Sequence, residues 1–130
     1  MKKIKAKTGG WKSKFPGKWR IISMEDFDRS DIDMEVPAHI TIGKEEHGTF
    51  QFILVSGDIC GSYKEEGGRR ILDFTWIGMD ECDEANGDGW AELVSDSRMR
   101  GEIRFHCGDT YKFEAKRKNL CKDLEHKAKS

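Results

Sequence analysis

The sequence predicts an all-β domain built as an eight-stranded antiparallel up-and-down barrel. A short helical segment should follow the first strand and another short helix should end the chain. Three observations carry this. Apolar and polar residues alternate in eight successive runs, which is the period of a half-buried strand. Short stretches rich in Gly, Asp and Ser separate most of those runs. The composition of 14 Gly, 2 Pro, 7 Phe, 4 Trp and 2 Tyr also favours strands joined by turns. With 130 residues the chain supports one domain, and with 36% hydrophobic against 36% charged residues most apolar side chains must converge on a single core.

The elements follow in order. Trp19, Ile21 and Ser23 share one face of the first strand. The acidic segment 25–35 is helix-capable, and Phe27, Ile32 and Met34 could turn inward from it to plug one end of the barrel. A second strand covers 37–42 with its isoleucines on one side, and a third covers 49–55 with Phe50, Phe52 and Leu54 inward. Ser56-Gly57-Asp58 reads as a tight turn into a fourth strand at 59–64. The fifth, 69–77, sets Leu72, Phe74 and Trp76 against Asp73 and Thr75. A long acidic loop, 78–89, precedes a sixth strand at 90–94. The seventh alternates most cleanly, Met99, Gly101, Ile103, Phe105 and Cys107 inward against Arg98, Arg100, Glu102, Arg104 and His106 outward. The eighth puts Tyr111, Phe113, Ala115 and Arg117 on one face, and Leu120 and Leu124 are at helical spacing beyond it. Closing such a meander removes its two exposed edges, and eight strands enclose just enough room for side chains or one small ligand.

The organisation expected is a basic flexible arm at 1–14, the barrel at 15–118, and a polar tail or short helix at 119–130. The net charge of −1 conceals a segregation. The first twenty residues hold eight basic side chains and no acid, whereas 21–111 hold 8 basic against 21 acidic. No apolar run of membrane-spanning length and no signal-peptide core is present, so a cytoplasmic protein without a membrane partner is expected. Cys60, Cys82, Cys107 and Cys121 lie 22, 25 and 14 residues apart with no Cys-x-x-Cys pair, which favours free thiols over zinc or disulfides.

Two resemblances add to this reading. Gly17-Lys18-Trp19 resembles the Gly-x-Trp signature of lipocalin-like (calycin-like) barrels, with Arg117 on the last strand where those families set a basic residue across the tryptophan. The long connection after the first strand is similar to theirs as well. The blocks 17–21, 50–52, 74–81, 87–91 and 101–106 resemble a family of small bacterial proteins with no assigned function, which implies a shared barrel and no chemistry.

The chemical constellations are sparse. The acidic stretch 80–88 fails the calcium-loop pattern, because counting from Glu84 puts Ser95 where a bidentate Glu is needed. A solvated loop is favoured over a divalent-ion site there. His39, His47, His106 and His126 are scattered, and no arrangement activates a Ser or Cys nucleophile, so no catalytic residue, metal ligand or cofactor is assigned. The glycines read as turn formers rather than as a phosphate cradle. The function expected is a non-catalytic binding or interaction module for a small apolar or aromatic ligand. Trp19, Tyr63, Phe74, Trp76, Tyr111 and Arg117 would line its pocket, with the Trp19 and Arg117 pair favoured as a brace. The alternatives are nucleic-acid binding through Lys2, Lys3, Lys5, Lys7 and an outward stripe of Arg98, Arg100 and Arg104, or an unrecognised enzyme.

Overall fold

The computed structural model describes residues 10–118. Its elements are β1 (Gly17–Met24), α1 (Arg29–Ile32), β2 (His39–Ile42), β3 (His47–Phe52), β4 (Val55–Glu66), β5 (Arg69–Asp80), β6 (Asp83–Ser95), β7 (Arg98–Phe105) and β8 (Thr110–Arg117). Every strand pairs antiparallel with the next, and β1 pairs with β8, so the eight close into a barrel without edges. The expected C-terminal helix and residues 1–9 of the arm lie outside the described residues.

The inward pattern follows the alternation. Trp19, Ile21, Ile40, Ile42, Phe50, Phe52, Leu72, Trp76, Met99 and Ile103 are almost fully buried. Burying so many large apolar side chains is the main driving force for closure. Glycine supplies the room. A Cβ at Gly57 would stand 2.8 Å from the Phe50 ring and 2.9 Å from Trp76, and one at Gly89 would stand 2.7 Å from Phe74. These inward glycines lie within strands and let rings cross the barrel, so they are spacers rather than the turn formers the sequence suggested.

Several boundaries move. The turn expected at Ser56-Gly57-Asp58 is instead Ile53-Leu54, because Phe52 pairs with Val55 and β4 runs straight through Gly57. Leu54 therefore sits in the turn, not on an inward strand face. Ile53 adopts a φ of 52°, and its N–H donates to the Ile32 carbonyl at 2.9 Å. Similarly, the acidic loop 78–89 is a tight hairpin. Asp80 pairs with Asp83 around a two-residue turn at Glu81-Cys82, and Gly78, Gly87 and Gly89 are ladder residues of two long strands.

The remaining corrections concern single side chains. A bulge between Ile21 and Ser23 turns Ser23 outward and brings Met24 inside. The helix after β1 is a single turn that buries Ile32, whereas Met34 beyond it is 55% exposed. Cys107 lies past the end of β7 in an exposed turn with a φ of 55°. Its strand stops at Phe105, whose N–H donates to the Asp109 carbonyl at 2.9 Å.

The barrel has two distinct ends. At the first, the chain before β1 folds across the opening. Phe15 is fully buried, Trp11 and Phe15 pack on Tyr63 with ring centroids 5.8 and 5.1 Å away, and the Trp19 indole N–H donates to the Phe15 carbonyl at 2.8 Å. This is the sealed end. The other, open end is formed by the turns β3–β4, β5–β6 and β7–β8 together with α1.

Candidate functional site

At the sealed end, Gly17, Trp19 and Arg117 form one unit. Trp19 is the cross-strand partner of Arg117, and the guanidinium lies 4.3 Å from the indole centroid. Its N–H groups donate to the carbonyls of Pro16 at 2.9 Å, Asp96 at 3.1 Å, and Lys14. Gly17 takes a φ of 132°, and a Cβ there would stand 2.7 Å from the guanidinium. Glycine is thus required twice, by the backbone and by the approach of Arg117. Burial lowers the Arg117 pKa, with Asp96 acting in the opposite direction. The unit ties the first strand to the last and holds the sealing segment in place.

The residues expected to line one pocket are not brought together. Trp19, Arg117 and Tyr63 stand at the sealed end, where burial, with Glu46 adding to it, pushes the Tyr63 hydroxyl up to about 12. Phe74 and Trp76 fill the middle, and Trp76 donates its indole N–H to the Arg104 carbonyl at 3.2 Å. Tyr111 alone of the six stands at the open end, lining a cup.

That cup holds about 340 Å³, near the lower limit for a ligand site. Its walls are Phe27, Phe52, Ile53, Val55, Phe105 and Tyr111, and Asp80 and Asp109 stand on the rim. Tyr111 is the hub, with ring centroids 5.1 Å from Phe27, 5.8 Å from Phe105 and 6.4 Å from Phe52. Its hydroxyl donates to Asp109 Oδ2 at 3.1 Å. Burial raises the Tyr111 pKa first, then the bond to Asp109, then the charges of Asp109, Asp80 and Asp26. Three carboxylates therefore direct a negative field onto an apolar cup.

Backbone bonds between loops hold this shape. The Glu81 N–H donates to the Leu54 carbonyl at 3.0 Å, the His106 N–H to Asn86 at 2.8 Å, and the Glu25 N–H to Lys112 at 2.9 Å. Sequence reasoning marked Phe105 as inward and Phe27 as part of a plug. It did not connect either with Tyr111, Asp80 or Asp109, because the cup is assembled from turns far apart in the chain.

The outward arginines meet acids. Arg104 is held by both oxygens of Asp88, at 2.9 and 3.2 Å, and by Glu102 at 3.2 Å. Arg100 and Arg69 both reach Glu92, a residue 8% exposed whose carboxyl is held below its ordinary pKa, chiefly by the Arg69 hydrogen bonds. Arg69 also covers the Trp90 ring at 5.4 Å. Two further grooves lie on the outer sheet surface, one of about 380 Å³ that includes Arg100, Glu102 and the half-buried Trp90 ring, and one of about 620 Å³ that includes Lys64 with Asp73 at 2.9 Å. Among the described residues no three His, Cys, Asp or Glu side chains are grouped as metal ligands would be. Among the described residues no helix is long and apolar enough to cross a membrane.

Searches of protein-family models, of curated proteins and of solved structures each found no match to this chain.

Proposed function

We propose that this chain is a non-catalytic binding module that holds a small, flat apolar or aromatic group carrying a positive charge. The observation that carries the proposal is the open-end cup. Among the described residues it is a place where several half-buried aromatic rings surround free volume, while the barrel interior is packed with side chains. Phe27, Phe105 and Tyr111 supply ring faces and edges, and Asp26, Asp80 and Asp109 supply the complementary charge. A cation against such rings gains about 0.5–2 kcal/mol beyond apolar contact, more as water is excluded. Kinship with lipocalin-like barrels belongs to the same proposal. It rests on Gly17, Trp19 and Arg117, whose contacts are those of a brace, and it would account for a ligand site at a barrel mouth.

The test is two-dimensional NMR with benzyltrimethylammonium as probe and benzoate as its anionic counterpart. The expected result is saturable shifts at Phe27, Phe105 and Tyr111 with the cation and none with benzoate. Phe105→Ala should abolish them, and Asp109→Asn should weaken binding by about tenfold. Equal binding of both probes, or shifts that avoid the cup, would overturn the proposal.

A further inference from the structure

The sealed end carries basic groups of a different kind from the arginines on the barrel wall. Lys18, Arg98 and Lys116 are exposed, and among the described residues none has a carboxylate within ion-pair distance. Register places them side by side. Arg98 is the cross-strand partner of Lys116, and Lys116 that of Arg20, while the Lys118 N–H donates to the Lys18 carbonyl at 2.9 Å. Directly opposed side chains in antiparallel strands stand about 5 Å apart, and like charges so placed are destabilising. The fold therefore gains nothing from setting Arg98 against Lys116. Arg20, the next in the row, is neutralised by Asp33 at 2.6 and 2.8 Å, which leaves Lys18, Arg98 and Lys116 as a compact outward cluster.

Two further facts bear on the charge around the cluster. The described chain begins and ends at this end of the barrel. The residues beyond it carry Lys2, Lys3, Lys5 and Lys7 without an acid on one side, and Lys122, Lys127 and Lys129 against Asp123 and Glu125 on the other. The opposite end carries Asp26, Asp80, Glu81, Asp83 and Asp109 around the cup. The sealed end also holds acids, Glu45 and Glu46 before β3, Glu65 and Glu66 before the β4–β5 turn and Asp96 before β7, so its positive charge is confined to the side formed by β7, β8 and β1.

We propose that the sealed end, through Lys18, Arg98 and Lys116, is a docking face for the phosphate backbone of a nucleic-acid duplex. Repeated cations suit a ligand with repeated anions. Among the described residues no aromatic ring stands exposed in the cluster to stack on a base, since Arg117 covers the ring of Trp19, which is itself fully buried. Binding is therefore independent of sequence and greater for a duplex, whose charge density is higher, than for a single strand. The wall arginines first expected to serve this role are occupied by Asp88, Glu92 and Glu102, and only Arg98 of that stripe takes part.

The test uses the full chain and a fluorescent duplex of random sequence, titrated by anisotropy across a potassium chloride series. Combining Lys18→Ala, Arg98→Ala and Lys116→Ala should reduce the slope of log affinity against log salt by about 2.7, from about 0.9 per lost phosphate contact. Affinity at moderate salt should fall by about tenfold or more. A control combining Lys64→Ala and Lys112→Ala, on other parts of the wall, should leave the slope unchanged. The proposal is overturned if the triple variant binds like the parent while Gln at positions 2, 3, 5 and 7 abolishes binding, since the arm alone would then be the binder. It is equally overturned if the parent ignores the duplex. In that case two further readouts show what the cluster serves instead: vesicles containing phosphatidylserine, and sedimentation for salt-sensitive self-association with the acidic end of another copy.

Discussion

The two ends of this barrel solve the same problem in opposite ways. At the sealed end a segment that precedes the first strand lies over the opening, and its Lys14 and Pro16 carbonyls are gathered, with that of Asp96, by one guanidinium braced on a tryptophan. At the open end three turns and a single helical turn converge, and their rings stop short of filling the space. One arrangement makes a brace beside the exposed Lys18, Arg98 and Lys116; the other makes a cup with Asp80 and Asp109 on its rim. The lesson is that a barrel too full to hold a ligand inside can still hold one at an incompletely covered mouth.

The largest expected effect lies at the sealed end. Trp19→Ala removes a fully buried indole, its hydrogen bond to Phe15 and the platform for Arg117, and should cost about 3–5 kcal/mol in urea unfolding. Phe105→Ala, at the half-buried wall of the cup, should cost clearly less. Equal losses would mean that the two ends are not differently built.

Arg117→Met sharpens the contrast. It leaves three carbonyls without their donor and should destabilise by about 2 kcal/mol. Hydrogen exchange should accelerate at the amides of Lys14 and Phe15, which close the sealing turn, and stay unchanged at Phe105 and Gly108. Acceleration at both ends would show that the brace serves the whole barrel.

The smallest effect concerns the segment that follows α1 at the open end. Asp33 accepts two bonds from Arg20 and one from the Ala38 N–H at 2.9 Å. The Arg20 bonds above all hold its carboxyl at about 2, below the ordinary 3.8. A depressed carboxylate stabilises the folded chain above pH 3.8, and that contribution disappears as pH falls through 2. Asp33→Asn should cost about 1 kcal/mol at neutral pH and flatten the acid limb of the stability curve between those values. An unchanged acid limb would assign the acid sensitivity to Asp88 or Glu92, whose pKa values are also lowered, by Arg104 and by Arg69.

Much of the fold was legible because strand alternation is a local signal. Leu72, Phe74 and Trp76 read inward from period two alone, and they are buried. Cys107 read inward by extending that alternation past the end of β7, and Met34 by extending a helical plug past the single turn of α1, where in each case the element had already ended. The candidate site was less legible still. Tyr111 stood among the residues singled out, but its partners Phe27, Phe52 and Phe105 come from three other parts of the chain.

The sequence by itself determined that eight strands alternate, that each meets its neighbour, and that glycine, tryptophan and arginine stand where the first and last strands join. These follow from side-chain period and short connections, which act over a few residues. Only the tertiary structure decided where strands end and which charges remain unpaired. The Ile53-Leu54 turn has little turn chemistry of its own and is held by Ile32 and Glu81, and Arg100 stands between Glu92 and Glu114 whereas Arg98 stands between Ser95 and Lys116. Such outcomes depend on groups that meet across the closed barrel, and closure alone brings them together.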